Sequence, residues 1–279
     1  MKSIKKNLAL VVITLTALSA GIYASEKDAD VGKETGKEEE KEYIKDLIED
    51  FTKFEGFFET YQDPETSSIY MVINAEQLNE EFIYFAHVVD GVVASRRNRG
   101  SYLDNGIFKI EKHFDTLRLS RINTSFTLNE ATAISKSSGA NISDSVLTSL
   151  PIKASNKEEN RYLVNVTALF LSEELTPIKP IPRPFQDEQS FRWGQISQSK
   201  SKIERVINYP ENTDIEVELV IESAPSFNYE EEDAADPRNI SIKMRYSFIG
   251  MPNNNFEPRI ADQSIGYFSE KITDLSTDD

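Results

Sequence analysis

The sequence contains no cysteine and only two histidines among its 279 residues. The lack of cysteine excludes disulfide bonds, thiol catalysis and lipid attachment through a cysteine, so stability has to come from burial of a hydrophobic core. His87 and His113 are not part of a His-Glu-x-x-His sequence, which excludes the common helical zinc-hydrolase site. A zinc site made by both histidines and a carboxylate is the remaining alternative.

Other catalytic motifs are missing as well. The chain has neither a Gly-x-Ser-x-Gly nucleophile elbow nor a glycine-rich phosphate loop. A glycosidase-type carboxylate pair cannot be recognised, because 47 acidic residues offer too many combinations. We therefore expect no catalytic, cofactor-binding or metal-binding residue in this chain.

Positive charge is scarce, with 31 lysines and arginines and a net charge of −16. Such a balance argues against binding to nucleic acid or to anionic lipid. The expected partners are proteins, peptides or cations.

The first 24 residues have the three parts of a secretory signal peptide. Three lysines precede an apolar run that begins at Leu8, and small residues follow it. We expect cleavage after Ala24, with Ala20 and Gly21 as alternative sites, and export to the periplasm or the medium without membrane attachment. A retained anchor is the alternative, but the run is shorter than the ~20 apolar residues that span a bilayer.

The remaining chain divides by composition. Residues 25–42 are rich in charge and almost free of apolar side chains, which predicts a disordered acidic leader. Residues 43–268 are predicted to form a single mainly-β module, and residues 269–279 a C-terminal tail. The module opens with apolar residues at helical spacing from Tyr43 to Phe51, so we expect a helix that ends by Gly56.

Alternating or continuous apolar runs of strand length dominate the module. The predicted strands are Gly56–Tyr61 and Ser67–Asn74, which form a hairpin, then Glu81–Asp90, Gly106–Ile122, Arg161–Leu171, Ser201–Pro210, Ile215–Ser223 and Ile240–Ile249. Short helices are predicted at Ala75–Glu80, Thr132–Ser138 and Ser143–Ser149. The expected fold class is mainly β with a few helices (α+β), built as an antiparallel sheet or a sandwich-like body.

Two polar stretches interrupt this pattern. Thr176–Asp187 carries four prolines and is predicted to cross the surface in an extended form, with a domain boundary or a polyproline ligand as alternatives. Asn228–Pro237 is acidic and is predicted to be a solvated hairpin tip. Calcium binding is the alternative there, although the spacing lacks the EF-hand pattern.

The stretch "PRIADQSIGYF", Pro258–Phe268, has the composition of a connection between two packed bodies. The proline fixes a turn, an arginine and an aspartate are placed to form a pair, the glycine is expected at positive φ, and two adjacent aromatics are available for docking. The predicted docking residues are Pro258, Arg259, Asp262, Gly266, Tyr267 and Phe268. An ordinary packed C-terminal corner is the alternative.

Several segments together resemble the uncharacterised N-terminal region of a family of large secreted bacterial zinc metalloproteases. The segments that carry this resemblance, over roughly Phe54 to Phe268, are "FEGFFETYQDPETSSIYMVINAEQLNEEFIYFAHVVDG", "RGSYLDNGIFKI", "SVLTSLPIKA", "YLVNVTALFLSE", "INYPENTDIEVELVI" and "YSFIGMPNNNFEPRIADQSIGYF". In that family the region ends in a segment similar to Pro-Arg-x-x-Asp-Pro-Arg-Val-Gly-Tyr-Phe. This chain departs from the pattern at Gln263-Ser264 and at Met251-Pro252, where the family usually has Pro-Arg and Leu-Pro.

The resemblance implies a catalytic domain with a His-Glu-x-x-His zinc site further along the polypeptide, beyond Asp279. Zinc is therefore implied only for that domain. One expected function is a non-catalytic module that supports folding, latency or substrate presentation for a metalloprotease domain, from a truncated or split family member. The alternative is a stand-alone exported module that binds peptides or proteins at its sheet edges or proline-rich loop.

Overall fold

The computed structural model describes nine parts of the chain, which are residues 43–128, 133–138, 141–179, 193–223, 234–257, 259–262, 264, 266 and 268–276. The predicted signal peptide and acidic leader, residues 1–42, lie outside the described residues. So do residues 180–187 of the proline-rich stretch and 228–233 of the acidic loop. Among the described residues, no helix is long and apolar enough to cross a membrane.

Strands make up about half of the described chain. They are β1 (Thr52–Phe54), β2 (Glu59–Gln62), β3 (Ile69–Asn74), β4 (Glu81–Asp90), β5 (Tyr102–His113), β6 (Thr116–Arg121), β7 (Phe126–Leu128), β8 (Ser145–Asn156), β9 (Arg161–Asn165), β10 (Gln195–Ile196), β11 (Lys202–Tyr209), β12 (Asn212–Glu222), β13 (Asn239–Gly250) and β14 (Thr273–Leu275). The described α-helices are short: α1 (Ile44–Leu47), α2 (Ala133–Ser138) and α3 (Thr167–Phe170). Single 3-10 turns lie at Ala75–Gln77 and Val93–Ser95.

Twelve of the strands form one antiparallel sheet in the order β1-β2-β3-β9-β8-β6-β5-β4-β13-β12-β10, with β11 also paired to β12. β7 and β14 form a separate two-stranded parallel pair. The predicted fold class, mainly antiparallel β with a few helices, is confirmed, and one large sheet contains twelve of the described strands.

The sheet curls until its two ends meet. At this seam the Phe57 N–H donates to the Tyr209 carbonyl at 2.8 Å, and the Phe58 N–H donates to Thr213 Oγ1 at 2.9 Å. Asn208 Nδ2 donates to the Phe54 and Phe58 carbonyls at 2.9 and 2.8 Å. These bonds satisfy backbone groups that the β1–β2 connection would otherwise leave unpaired. The connection is thereby fastened to β11 and β12.

One hydrophobic core fills the concave face of the curled sheet. Its members come from both halves, as shown by the Phe58 and Phe248 rings, whose centroids are 5.9 Å apart. Apolar side chains from α3 and the residues that follow it, up to Ile178, also lie in this interior, where Phe170 packs on the Tyr246 ring at 5.5 Å. On the opposite face, α1 covers a smaller cluster of Ile44, Tyr61, Val72, Ala154 and Leu163.

Several predicted elements are confirmed. The hairpin of β2 and β3 pairs as expected, with Glu59 opposite Val72. β13 shows the strict alternation that its sequence predicts, and the buried residues on its inner face are Ile240, Ile242, Met244, Tyr246 and Phe248. The predicted helix at 132–138 corresponds to α2, and the short helix after β3 is a 3-10 turn.

Other predicted elements are wrong. Ser143–Ser149 is not helical, because the apolar residues there belong to β8, which pairs with β6 and β9. The first helix ends before Gly56 as expected, but it is a single turn that stops at Leu47 instead of extending to Phe51. Gly106–Ile122 is two strands that turn at Phe114, which has a φ of 52°. Arg161–Leu171 is a strand only to Asn165, after which the chain enters α3.

The beginning of the proline-rich stretch is also not a surface crossing. Thr176 and Ile178 are fully buried, and the Thr176 hydroxyl makes a short hydrogen bond with the buried Tyr84 hydroxyl. The Ile178 carbonyl accepts a hydrogen bond from Arg97 Nε at 2.7 Å. Thr176 and Ile178 therefore belong to the core, whereas Pro177 between them is exposed.

Candidate docking segment

The chain leaves the sheet when β13 ends at Gly250, and we call residues 251–272 the C-terminal segment. Its described residues form no helix or strand. They also contribute nothing to the buried core, whose last described member in the sequence is Phe248. The described part of the segment therefore lies outside the core of the curled sheet.

Large apolar side chains of this segment point into solvent. Ile260 is 98% exposed, Phe256 is 79% exposed and Phe268 is completely exposed. Met251 and Ile272 are each about half exposed. Single exposed apolar residues are normal on a protein surface, but several on one unpacked segment are typical of an interaction site.

The expected pair of Arg259 and Asp262 is not observed among the described docking residues. Pro258 and Tyr267 lie outside the described residues. Arg259 makes no ion pair with Asp262 among the described residues, because the Asp262 carboxylate accepts hydrogen bonds from the Ser264 hydroxyl and N–H instead. These bonds stabilise the ionised carboxyl group and lower the pKa of Asp262 below its ordinary value.

Two further expectations about this stretch are wrong. Gly266 is not at positive φ, and a Cβ added there would meet no atom within 4 Å. The packed C-terminal corner is also not observed, since Phe268 is exposed rather than in the core. The exposed residues at 251, 256, 260 and 272 were not predicted, because they follow neither a helical nor a strand period.

The segment ends at a short anchor. β14 pairs in parallel with β7, where Thr273 lies opposite Phe126 and the Thr273 N–H donates to the Ser125 carbonyl at 2.9 Å. Two paired strands of only three residues each are marginally stable on their own. The C-terminal segment is thus attached to β13 at one end and to β14 at the other, and its described residues form no helix or strand between these attachments.

The two histidines do not form a metal site. His87 lies opposite Tyr102 at the beginning of β5, and His113 is the last residue of that strand, so about 36 Å of strand separates them. In the part of the chain that the structure describes, no group of three or more histidine, aspartate or glutamate residues could hold a metal ion. Burial and the nearby Arg245 charge lower the pKa of His87, which favours the neutral imidazole.

A row of charges on the outer face beside His87 was not predicted from the sequence. Glu216 on β12 accepts hydrogen bonds from Arg205 on β11 and from Arg245 on β13, with Nε to oxygen distances of 3.0 and 2.8 Å. Burial acts to raise the pKa of Glu216, but the two arginines outweigh it and lower that pKa below its ordinary value. One carboxylate thus binds two guanidinium groups, and the row cross-links the three strands β11, β12 and β13.

Comparison with known proteins gives one match. A family model described as "Domain of unknown function (DUF5117)" matches residues 100–279, which is 180 of the 279 residues. The chain therefore belongs to the DUF5117 family. No curated protein matches the sequence, and no solved structure matches the fold. The family match includes β5 to β14 and the whole C-terminal segment.

Proposed function

We propose that this member of the DUF5117 family is a non-catalytic exported module of a zinc metalloprotease, and that its C-terminal segment docks on the catalytic domain. The single observation that carries the proposal is the exposure of Phe256, Ile260 and Phe268 on a segment whose described residues make no contribution to the core. The resemblance of the sequence to the N-terminal region of secreted metalloproteases supplies the class of the partner. The export signal predicted in the first 24 residues supports a location outside the cytoplasm.

Burial of these side chains against a partner gives a favourable free energy. Transfer of a Phe or Ile side chain from water into an apolar contact contributes about 1.5–3 kcal/mol. The segment loses conformational freedom on docking, but its attachment to β13 at one end and β14 at the other already limits that freedom. A few such anchors suffice for a specific interface, because binding energy is concentrated in a small number of residues.

The role of the module would then be to position, protect or hold inactive a catalytic domain that carries the zinc. The curled sheet is a rigid support, whereas the C-terminal segment can adapt to the surface of the partner. In this proposal all zinc ligands belong to the catalytic domain.

The test is binding between the full chain and a separately purified His-Glu-x-x-His domain. The domain is taken from the reading frame downstream of this one, or from a metalloprotease with the same N-terminal region where none is encoded there. A triple variant with Phe256→Ser, Ile260→Ser and Phe268→Ser is expected to lose most of the binding measured by calorimetry. The matched control is Tyr43→Ser, which removes a 70%-exposed aromatic before α1.

The outcomes separate the two functions that the sequence leaves open. Binding that the triple variant abolishes and the control retains supports the docking role. Equal binding by all three proteins places the interface elsewhere and contradicts it. If the wild-type chain does not bind the domain, the stand-alone peptide- or protein-binding module becomes the better description.

A further inference from the structure

A polar cleft of about 270 Å³ lies beside the turn that connects β8 and β9. Its residues are far from the C-terminal segment in the sequence. It is lined by the end of β5, by parts of β8 and β9, and by the turn between those two strands. The lining includes Lys112 and Lys157 but, among the residues the structure describes, no aspartate or glutamate. The cleft is thus locally cationic in a chain whose net charge is −16.

The cleft lies directly beyond the apolar interior. Inside the sheet, a cavity of about 30 Å³ is lined only by apolar side chains, including Ile110, Leu150 and Val164. Each of these has a cleft residue two positions away on the same strand, and the cleft residues are, in the same order, Lys112, Ile152 and Tyr162. Because every second residue of a strand points to the same face, these residues form the next layer on the concave face of the sheet.

A β-bulge explains how β8 supplies both apolar and polar lining. The pairing of β8 with β9 shifts register between Ile152 and Ala154, and Ser155 then lies opposite Tyr162. Residues an odd number of positions apart normally point to opposite faces of a strand, but the bulge allows Ile152 and Ser155 to line the same cleft. The floor is apolar at Ile152 and Tyr162, and the rim is polar.

The rim presents hydrogen-bond donors. Lys112 Nζ lies 5.5 Å from the centre of the Tyr162 ring and donates to the Phe114 carbonyl at 2.8 Å. An ammonium group has three N–H donors, so two remain for a ligand. The Asn156 Oδ1 atom accepts hydrogen bonds from the backbone N–H groups of Glu158 and Glu159. These bonds fix the orientation of the side chain and leave its NH₂ group to donate to a ligand.

From this arrangement we infer that the cleft binds a small amphipathic carboxylate, with its charged end between Lys112 and Lys157 and its apolar part on Ile152 and Tyr162. Two ammonium groups and an amide suit an oxygen anion, and the apolar floor that leads into the core suits a hydrocarbon group. The C-terminal residue of a peptide and a free fatty acid share this chemistry. The inference is independent of the docking role, because no cleft residue belongs to the C-terminal segment.

The experiment uses two carboxylates and their neutral counterparts. N-acetyl-phenylalanine represents a peptide C terminus and decanoate, below its micelle concentration, represents a fatty acid. The controls are N-acetyl-phenylalaninamide and decanamide. Binding to the full chain is followed by calorimetry and by the amide NMR shifts of β8 and β9. At least one carboxylate is expected to bind about tenfold more tightly than its amide, because a charge-assisted hydrogen bond is lost in the amide.

Lysine variants then locate the binding. Lys112→Gln and Lys157→Gln are each expected to weaken carboxylate binding by about tenfold. Lys153→Gln is the matched control, because Lys153 is exposed on the same strand β8 but does not line the cleft. Urea unfolding of every variant checks that the fold is retained.

The proposal is overturned if neither carboxylate binds, if the amides bind as tightly as the acids, or if Lys153→Gln weakens binding as much as the two cleft variants. Preference for N-acetyl-phenylalanine over decanoate supports the proposal with a peptide as the source, and the reverse preference supports it with a fatty acid. Loss of carboxylate binding with retained binding of the protease domain shows that the two sites are separate.

Discussion

Substitution of Gly56 by alanine tests whether the seam between the two ends of the sheet holds the fold together. A Cβ at this position would overlap the side-chain Oδ1 and Cγ atoms of Asn208 and would lie 2.8 Å from the Tyr209 backbone nitrogen. A distance below 3.0 Å is not tolerated by real Cβ atoms, so either the β1–β2 connection or the Asn208 side chain has to move.

Asn208 cannot move without loss of hydrogen bonds. Its Nδ2 group donates to the Phe54 and Phe58 carbonyls, and its Oδ1 atom accepts from Thr213 Oγ1 at 2.6 Å. Overpacking by one methyl group costs about 1–3 kcal/mol, and each net hydrogen bond contributes about 1 kcal/mol. We expect Gly56→Ala to lower the free energy of unfolding by about 2–4 kcal/mol.

Urea unfolding, followed by the fluorescence of the single tryptophan, measures this change. Trp193 is a suitable probe because it is partly buried against the core and carries the Arg97 guanidinium 6.0 Å from its ring centre. Gly266→Ala is the control, since its added Cβ meets nothing within 4 Å. The control should be unchanged or more stable by up to about 1 kcal/mol.

A double variant identifies the cause. Asn208→Ala removes the atoms that the new methyl group would overlap, so Gly56→Ala should cost at least about 1 kcal/mol less in that background than in the wild type. If Gly56→Ala changes the stability by less than about 0.5 kcal/mol, or costs the same in both backgrounds, the seam does not have the energetic role assigned to it.

Three other results are expected. Phe58→Ala should lower the free energy of unfolding by about 3–5 kcal/mol, because the ring is in the core. Phe268→Ala should change it by less than about 0.5 kcal/mol, because that ring is exposed. A large loss of stability in Phe268→Ala would contradict the exposure of the ring. Glu216→Gln should be destabilised most at neutral pH. The two arginines lower the pKa of Glu216 in the folded protein, so the ionised carboxylate stabilises the fold at pH values above its unfolded pKa near 4.5. This stabilisation is lost as the pH falls further. The difference in free energy of unfolding between wild type and variant, measured with urea, should therefore shrink below that pH. Metal analysis of the purified chain should find no stoichiometric zinc, and one zinc per chain that is lost in His87→Ala or His113→Ala would refute this.

The regular part of the fold could be predicted from the sequence because its burial is one-sided. β13 alternates strictly from Ile240 to Phe248, so its period alone indicates a strand. In contrast, Val146, Leu147 and Leu150 have spacings that also suit a helix, and only pairing with distant strands makes that region β8. Local spacing cannot show such long-range pairing.

The sites were less predictable than the fold. The docking stretch could be located by its composition, but the partner of Asp262 could not, because Ser264 is as close in sequence as Arg259 and competes for the same carboxylate. The cationic cleft was missed because Lys112 and Lys157 are 45 positions apart and have no motif between them. Such a site is visible only when the pairing of β5, β8 and β9 is known.

The seam also has a consequence for the order of folding. The Phe58 N–H finds its partner in Thr213, which is 155 positions later in the chain. Because ribosomes deliver a protein from its N terminus, β1 and β2 are made long before β11 and β12 are available to receive them. Contacts of such long range slow folding, and the open edge at β1 is prone to associate with other chains until β11 and β12 have been made. The first strands of this protein are therefore the part that most needs protection during synthesis.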